Sequence, residues 1–330
     1  MYRDKKILIT GGTGTIGHHL TKALLQHDPA VIRIFSRDEY KQYEMAQTFQ
    51  EHSRKMRYLI GDVRDEARLL RAMEDIDYVF HLAAMKHVPA CEYNPFEAVK
   101  TNVMGTQNVI QASIAAGVKK VLFTSSDKAI SPTNTYGATK LMGERLISAA
   151  EYQKGPKSTI FSSVRFGNVM GSRGSVIPLF KKQILEKNKV TITDPEMLRY
   201  MMTPSQAIEL ILKANEIAQG GEVFVLKMPV VRIGDLADVV IELVKEKYTL
   251  VQHIEKVITG LRPGEKRYEE IMTQDEEIIA NDLGEMYVVP SVFKNSPQLK
   301  SFQRAKLEFI EESVCNIQSL KKWIIKESLI

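Results

Sequence analysis

Two short stretches carry side chains able to move protons. Tyr136 and Lys140 stand in Tyr-Gly-Ala-Thr-Lys, a spacing that on a helix puts both on one face, a turn apart. An ammonium beside a phenol favours the phenolate and draws the tyrosine pKa toward neutrality. Such a phenolate can take the proton of a hydroxyl while hydride leaves the same carbon. Just upstream, Ser125-Ser126-Asp127-Lys128 sets a carboxyl and an amine side by side behind two hydroxyls. That couple suits paired proton transfers if the carboxyl pKa is pushed up and the ammonium pKa down by burial and neighbouring charge. Each pair also has an ordinary alternative: a surface tyrosine beside a lysine, and a loop ion pair.

A third stretch is built for the cofactor that would take the hydride. Gly11-Gly12-Thr13-Gly14-Thr15-Ile16-Gly17 lies between the strand-like Ile7-Leu8-Ile9-Thr10 and a helical stretch near 15–27. Glycines at 11, 14 and 17 allow a tight turn, close approach to a pyrophosphate and close helix–sheet packing, and the helix N-terminus directs free N–H groups at the anion. The second strand ends in Ser36-Arg37, with Lys41 a helical turn later. Hydroxyl and cations there suit a 2′-phosphate, where an acidic residue would suit a bare ribose. NADP is therefore the expected cofactor, against the alternative of a solvated basic edge. Asp62-Val63 could approach the adenine, and Ala83-Ala84 are small enough to let the cofactor pass.

The elements that must position these groups alternate along the first half. Strands are expected at Val31 to Phe35, Tyr58 to Ile60, Tyr78 to Phe80, Val121 to Phe123 and Thr159 to Val164, with helices near 39–50, 65–74 and 136–150. A long helix is expected from Asn94, capped by that residue, with Pro95 at the first helical position and Glu97 completing a capping-box-like arrangement. This alternation implies an α/β fold: a Rossmann-like doubly wound parallel sheet with helices on both faces. The pattern loosens after about 167, where a helix over 204–218 and a strand over 222–226 follow. The expected division is an NADP-binding core over 1–167, to which later segments return, a smaller, partly interleaved C-terminal α/β substrate lobe over 168–295, and a helical, basic tail over 296–330. Trp323 in that tail reads as part of a packing helix, with an oligomer contact as the alternative.

Composition bounds the rest. The chain has 330 residues, 44% apolar and 26% charged, which excludes wholesale disorder. A net charge of +5 is too dilute to argue for nucleic acid, and no basic stripe with interleaved aromatics is present. Cys91 and Cys315 match no zinc spacing or disulfide framework. His81 and His87 have no companions at metal-ligand spacing, so no metal is expected and hydrogen-bonding roles are. No stretch approaches the about 20 apolar residues that span a bilayer, and Met1 to Lys6 leaves no room for a signal peptide. A cytoplasmic protein without membrane association is the expectation.

Matched blocks in order make the chain resemble the extended short-chain dehydrogenase/reductases, and more narrowly the inverting UDP-N-acetylglucosamine 4,6-dehydratases of pseudaminic acid and polysaccharide biosynthesis. The blocks run from about 5 to about 290: the glycine turn, Phe35-Ser36-Arg37-Asp38-Glu39, Lys86 to Pro95, Ser126-Asp127-Lys128-Ala129, Tyr136 to Lys140, Arg165 to Val169, Gly171 to Val176 and Arg262-Pro263-Gly264-Glu265-Lys266. One departure stands out: Ser126 occupies a position where this family usually has threonine. The resemblance implies oxidation at C4 of the hexose, removal of the acidified C5 proton, loss of water from C6 and hydride return to C6. It assigns Asp127 as the acid at C6 and Lys128 as the acid/base at C5. It places Asn168 near the pyrophosphate, Arg262 and Glu265 at the UDP end, Lys86 beside sugar or phosphate, and Thr193 and Arg199 in the nucleotide pocket, with a surface role for Arg199 as the alternative. Asn102 is expected to bridge polar groups beneath the site. The resemblance also implies a homo-oligomer, dimer or hexamer. Rival readings on the same scaffold are C4 or C5 epimerisation, a retaining dehydratase, an ene reductase or a dehydratase stopping at the 5,6-ene; a non-catalytic NADP-sensing protein is the rival of another class.

Overall fold

The computed structural model describes residues 1–291, 303–305, 310 and 313–330. Seven parallel strands form the spine: β1 (Lys6–Thr10), β2 (Val31–Ser36), β3 (Met56–Ile60), β4 (Tyr78–His81), β5 (Lys120–Thr124), β6 (Ile160–Arg165) and, much later, β10 (Val223–Leu226). Their spatial order is β10-β6-β5-β4-β1-β2-β3, so the winding reverses at β1. That switch point opens a crevice at the carboxyl ends of β1 and β4, where doubly wound sheets bind ligands. Central strands such as β4 are buried throughout because helices cover both faces. One face carries α1 (Thr15–Leu25) and α2 (Glu39–Thr48), the other α3 (Glu66–Met73); α2 and α3 are capped by Asp38 and Asp65, whose carboxylates accept the N–H groups of Lys41 and Arg68.

The stretch after β4 carries the expected long helical run from Asn94, with a short helix ahead of it and a π-helical turn within it. Its parts are α4 (Val88–Tyr93), α5 (Pro95–Ala98), a π-helical turn over Val99–Met104 and α6 (Gly105–Ala116). Pro95 does sit in the first turn of α5, but Asn94 makes no side-chain cap. Its amide reaches back to the Ala90 carbonyl at 3.1 Å. Glu97 pairs with Arg64 and Lys100, so the expected capping box does not form.

The catalytic-type motifs fall on α7 (Thr135–Gln153), capped by Asn134, and on a single 3₁₀ turn over Asp127–Ala129 that ends β5. Past β6 the chain forms the short strand β7 (Asn168–Val169), α8 (Val176–Lys187), β8 (Lys189–Ile192) and β9 (Leu198–Met202). It then returns to the sheet through α9 (Pro204–Ile217) and β10. Next come β11 (Val230–Arg232), α10 (Ile233–Tyr248) and β12 (Glu255–Ile258). The sheet is finished by α11 (Gln274–Ile279), β13 (Asn281–Asp282) and β14 (Met286–Val289), the last antiparallel to β10. A second apolar core gathers Phe180, Val190, Met201, Val231, Leu236 and Val240 from the later elements. The terminal helix α12 (Ile317–Lys326) buries Leu320 and Ile324 in it, and Trp323 packs against it. Of the expected tail, residues 296–302, 306–309 and 311–312 lie outside the described residues.

Candidate active site

One cavity of about 860 Å³ runs between the carboxyl edge of the sheet and the later elements. Every residue that the sequence nominates for a site lines it, with one exception, Asp127.

The glycine turn forms one end, lined by Gly11, Thr13, Gly14, Thr15, Ile16 and Gly17. Gly11 has φ +67°, and a Cβ there would stand 2.8 Å from the Ala83 backbone. Only glycine lets β1 and β4 diverge so closely at the switch point. No side chain caps the start of α1, leaving its first N–H groups available to an anion. Ser36, Arg37, Lys41, Asp62, Val63, Ala83 and Ala84 continue the wall. Arg37 is held loosely by Asp62 at 3.5 Å, while Asp62 pairs more closely with Arg64 at 2.7 Å. Asp38, the acidic neighbour, is occupied by capping α2 and by pairing with Lys41. These residues fit a dinucleotide, with an open helix start for the pyrophosphate and a wall along the ends of β2, β3 and β4 for the rest.

The side chains nominated for proton transfer lie mid-cavity, Asp127 behind them. The backbone N–H of Ser125 donates to Val164 and that of Asp127 to Phe166, prolonging the β5–β6 ladder to the turn that carries Asp127 and Lys128. α7 packs tightly on this turn because residue 137 is glycine; a Cβ there would meet the Lys128 carbonyl at 2.1 Å. Tyr136 and Lys140 thus share the face toward β5, both buried. Lys140 donates to the Thr124 carbonyl at 2.7 Å and lies over the Phe123 ring. Burial lowers its pKa to about 7.

Two expected pKa directions are reversed. Burial raises the Tyr136 phenol, outweighing its hydrogen bond with Ser126 and the charge of Lys128. Burial also works against the Lys128 ammonium, yet Asp127 and Glu269 together outweigh it and the pKa is raised. Lys128 Nζ lies 3.1 Å from Asp127 Oδ1 and 3.4 Å from Glu269 Oε1, and donates to Asn168 Oδ1 at 3.4 Å. Asp127 is fully buried behind Lys128; its Oδ1 accepts the Ser126 hydroxyl at 2.9 Å, and its Oδ2 has no partner. Serine at 126 thus still supplies the hydroxyl to the carboxylate.

The far end carries Lys86, Thr193, Arg199, Arg262 and Glu265. Lys86 reaches the Ser172 hydroxyl at 3.4 Å. Arg199 is buried, which removes the surface alternative; it donates to the carbonyls of Leu198, Lys266 and Arg267. The Gly264 carbonyl accepts from Thr133 and Asn134, tying the Arg262–Glu265 loop to the cap of α7. Beneath the site, Asn102 exchanges two hydrogen bonds with Met85 and donates to Thr139. His81 is buried between Thr10 and Thr106, and burial lowers its pKa to about 3. His87, expected to be hydrogen-bonded, is instead exposed on the cavity rim, where its side chain reaches no partner among the described residues. Among the described residues no group of three or more His, Cys, Asp or Glu could hold a metal.

Sequence reasoning passed over Glu269, and over Ser172 and Arg173, read only as loop residues, which line the cavity. Nothing local marks Glu269; only its burial beside Lys128 does.

Residues 7–291 match the family described as polysaccharide biosynthesis protein. Over 289 residues the chain is 51% identical to an uncharacterized membrane protein of Methanocaldococcus jannaschii, covering 87% of this chain and 86% of that one. No helix among the described residues is long and apolar enough to cross a membrane. A Campylobacter jejuni UDP-N-acetylglucosamine 4,6-dehydratase (inverting) is 44% identical over 304 residues, covering 92% and 87%. A Rickettsia typhi UDP-glucose 4-epimerase is 42% identical over 294 residues, covering 88% and 84%. Pen from Bacillus thuringiensis, a crystal structure, superposes with a TM-score of 0.95 at 53% identity over 100% of this chain and 99% of that one. With its winding reversal at β1 and its glycine turn in the crevice, the chain belongs to the polysaccharide biosynthesis protein family, on the extended short-chain dehydrogenase/reductase fold.

Proposed function

We propose that the protein is an NADP-dependent UDP-N-acetylglucosamine 4,6-dehydratase that inverts C5. The observation that carries this reading is Lys128, which lines the cavity with Tyr136 and the glycine turn and is paired with two buried carboxylates behind it, Asp127 and Glu269. Oxidation at C4 alone needs only the tyrosine and lysine; a second, buried amine–carboxyl couple has work only if further proton transfers follow. Relatives named as inverting 4,6-dehydratases support the same substrate and outcome.

Bound NADP would supply a hydride acceptor that takes hydride from C4 and returns it at C6; Ser36, Arg37 and Lys41 would hold its 2′-phosphate. Tyr136 takes the C4 hydroxyl proton, and Lys140 stabilises the phenolate. Lys128 begins as an ammonium. Passing its proton to Asp127 produces both required forms at once: a free amine to remove the C5 proton and a carboxylic acid to protonate the departing C6 hydroxyl. Asp127 Oδ2, buried and unpartnered, is the oxygen free to carry that proton. A solvent-exchangeable proton then reaches C5 on the face opposite to the one that lost its proton, which gives the inverted configuration. Arg199, Arg262 and Lys86 bring positive charge to the diphosphate end.

Incubation with UDP-N-acetylglucosamine in deuterated water tests this. The product expected by NMR is a 6-deoxy-4-ketose with deuterium at C5 and inverted configuration there. Absence of both ketone and ring deuterium overturns the reading. Because relatives named UDP-glucose 4-epimerase match nearly as well, the second reading is C4 epimerisation, identified by a product that keeps its C6 hydroxyl. A 5,6-ene would show the sequence stopping before hydride return.

A further inference from the structure

Glu269 is a buried carboxylate, 5% exposed, whose ionic partner among the described residues is Lys128. Its backbone is held from both sides. Arg199 donates to the Lys266 and Arg267 carbonyls at 2.8 and 3.1 Å, Leu198 N–H to Arg267 at 3.0 Å, and Arg165 to the Ile271 carbonyl at 2.9 Å. A carboxylate fixed in a dry cleft is costly unless its charge is answered. Here the answering charge is the amine of the C5 step. An ammonium has three donors and no acceptor, and three oxygens surround this one: Asp127 Oδ1, Asn168 Oδ1 and Glu269 Oε1.

We propose that Glu269 is a positioning residue for proton transfer at C5, fixing the Lys128 amine between the substrate and Asp127 and restraining release of its proton. This rests on the reading of Lys128 as the C5 acid/base. The charged and titratable groups facing Lys128 are Asp127 from its own turn, Glu269 from the 266–271 segment, Arg199 from β9 and Tyr136 from α7. Arg199 alone opposes the ammonium. Removing the Glu269 charge leaves that opposition less balanced, so the amine loses its proton at lower pH.

The test follows solvent deuterium entering C5 of UDP-N-acetylglucosamine across pH, with reduction of bound cofactor, the C4 step, read in the same samples. Glu269→Gln is expected to move the midpoint of C5 exchange down by about one pH unit or more, and to depress C5 exchange relative to C4 oxidation. Glu269→Asp, which keeps the charge but retracts it, is expected to restore most of the midpoint and to lower C5 exchange selectively. Lys128→Ala, run in parallel, should abolish C5 exchange. If Lys128→Ala exchanges normally, the reading of Lys128 fails and this proposal with it. If Lys128→Ala is inert while folded Glu269→Gln keeps the wild-type midpoint, Glu269 alone is overturned. Should Glu269→Gln not fold, equal loss of both steps in Glu269→Asp overturns it.

Discussion

At Lys128 the decisive quantity is a balance of charges. Removal from water pushes the ammonium to shed its proton, but two carboxylates within 3.4 Å hold it on. In the proposed mechanism a free amine would therefore arise by internal transfer to Asp127, a neighbour already in place at 3.1 Å. At Tyr136 no carboxylate pair intervenes and burial sets the direction, upward. Tyr136→Phe should leave cofactor binding intact and slow C4 oxidation by about 10²–10⁴-fold, the usual worth of a positioned acid–base group. Near-normal turnover by that variant would remove the tyrosine from the mechanism.

One buried guanidinium ties three elements together. Arg165, at the end of β6 and 1% exposed, binds Glu144 of α7 through two bonds of 3.0 and 2.6 Å, and Glu276 of α11 at 2.8 and 3.0 Å. The helix bearing Tyr136 and the segment bearing Glu269 are thereby fixed to the same strand. Arg165→Ala strands two carboxylates and should cost about 3–5 kcal/mol, the range for breaking a buried pair; denaturant unfolding measures it, and a loss below 1 kcal/mol would show that the carboxylates find water. The Glu276 pKa is lowered, through hydrogen bonding and charge from Arg165 that outweigh its burial. A carboxyl depressed on folding stabilises above its unfolded pKa and loses that contribution as pH falls through the folded value. The wild type should lose this part of its stability on acidification below about 4.5, the ordinary glutamate value.

Across the whole molecule, two cores meet at one cavity. The sheet supplies the glycine turn and the reacting turn; the later elements supply Arg199 and the Arg262–Glu265 loop. A ligand spanning both is expected to tie them together. If hydride is lent and returned as proposed, the cofactor has no reason to leave between turnovers. NADP should therefore copurify, detectable by native mass spectrometry, and stripping it should lower the melting temperature. A site saturated a hundredfold above Kd is worth about 2.7 kcal/mol. Arg37→Ala should weaken NADP binding and leave NAD binding nearly unchanged; equal loss for both would place Arg37 away from the 2′-phosphate.

Local grammar made much of this legible without coordinates. The glycine turn, the Tyr136–Lys140 spacing and the Ser126-Asp127-Lys128 run are contiguous, so strand–turn–helix periodicity alone places them at the carboxyl edge of a parallel sheet. The same locality explains why the missing cap at Asn94 escaped: capping preferences describe an isolated helix start, while Glu97 was drawn to Arg64 on another element. Glu269 and the burial of Arg199 were beyond reach for a related reason. A side chain's charge state is set by whatever the fold brings within a few ångströms and by the water it excludes, and neither is encoded in the spacing of neighbouring residues. The chain order specified the candidate acid and base groups; the tertiary structure decided which way burial and neighbouring charge push each of them.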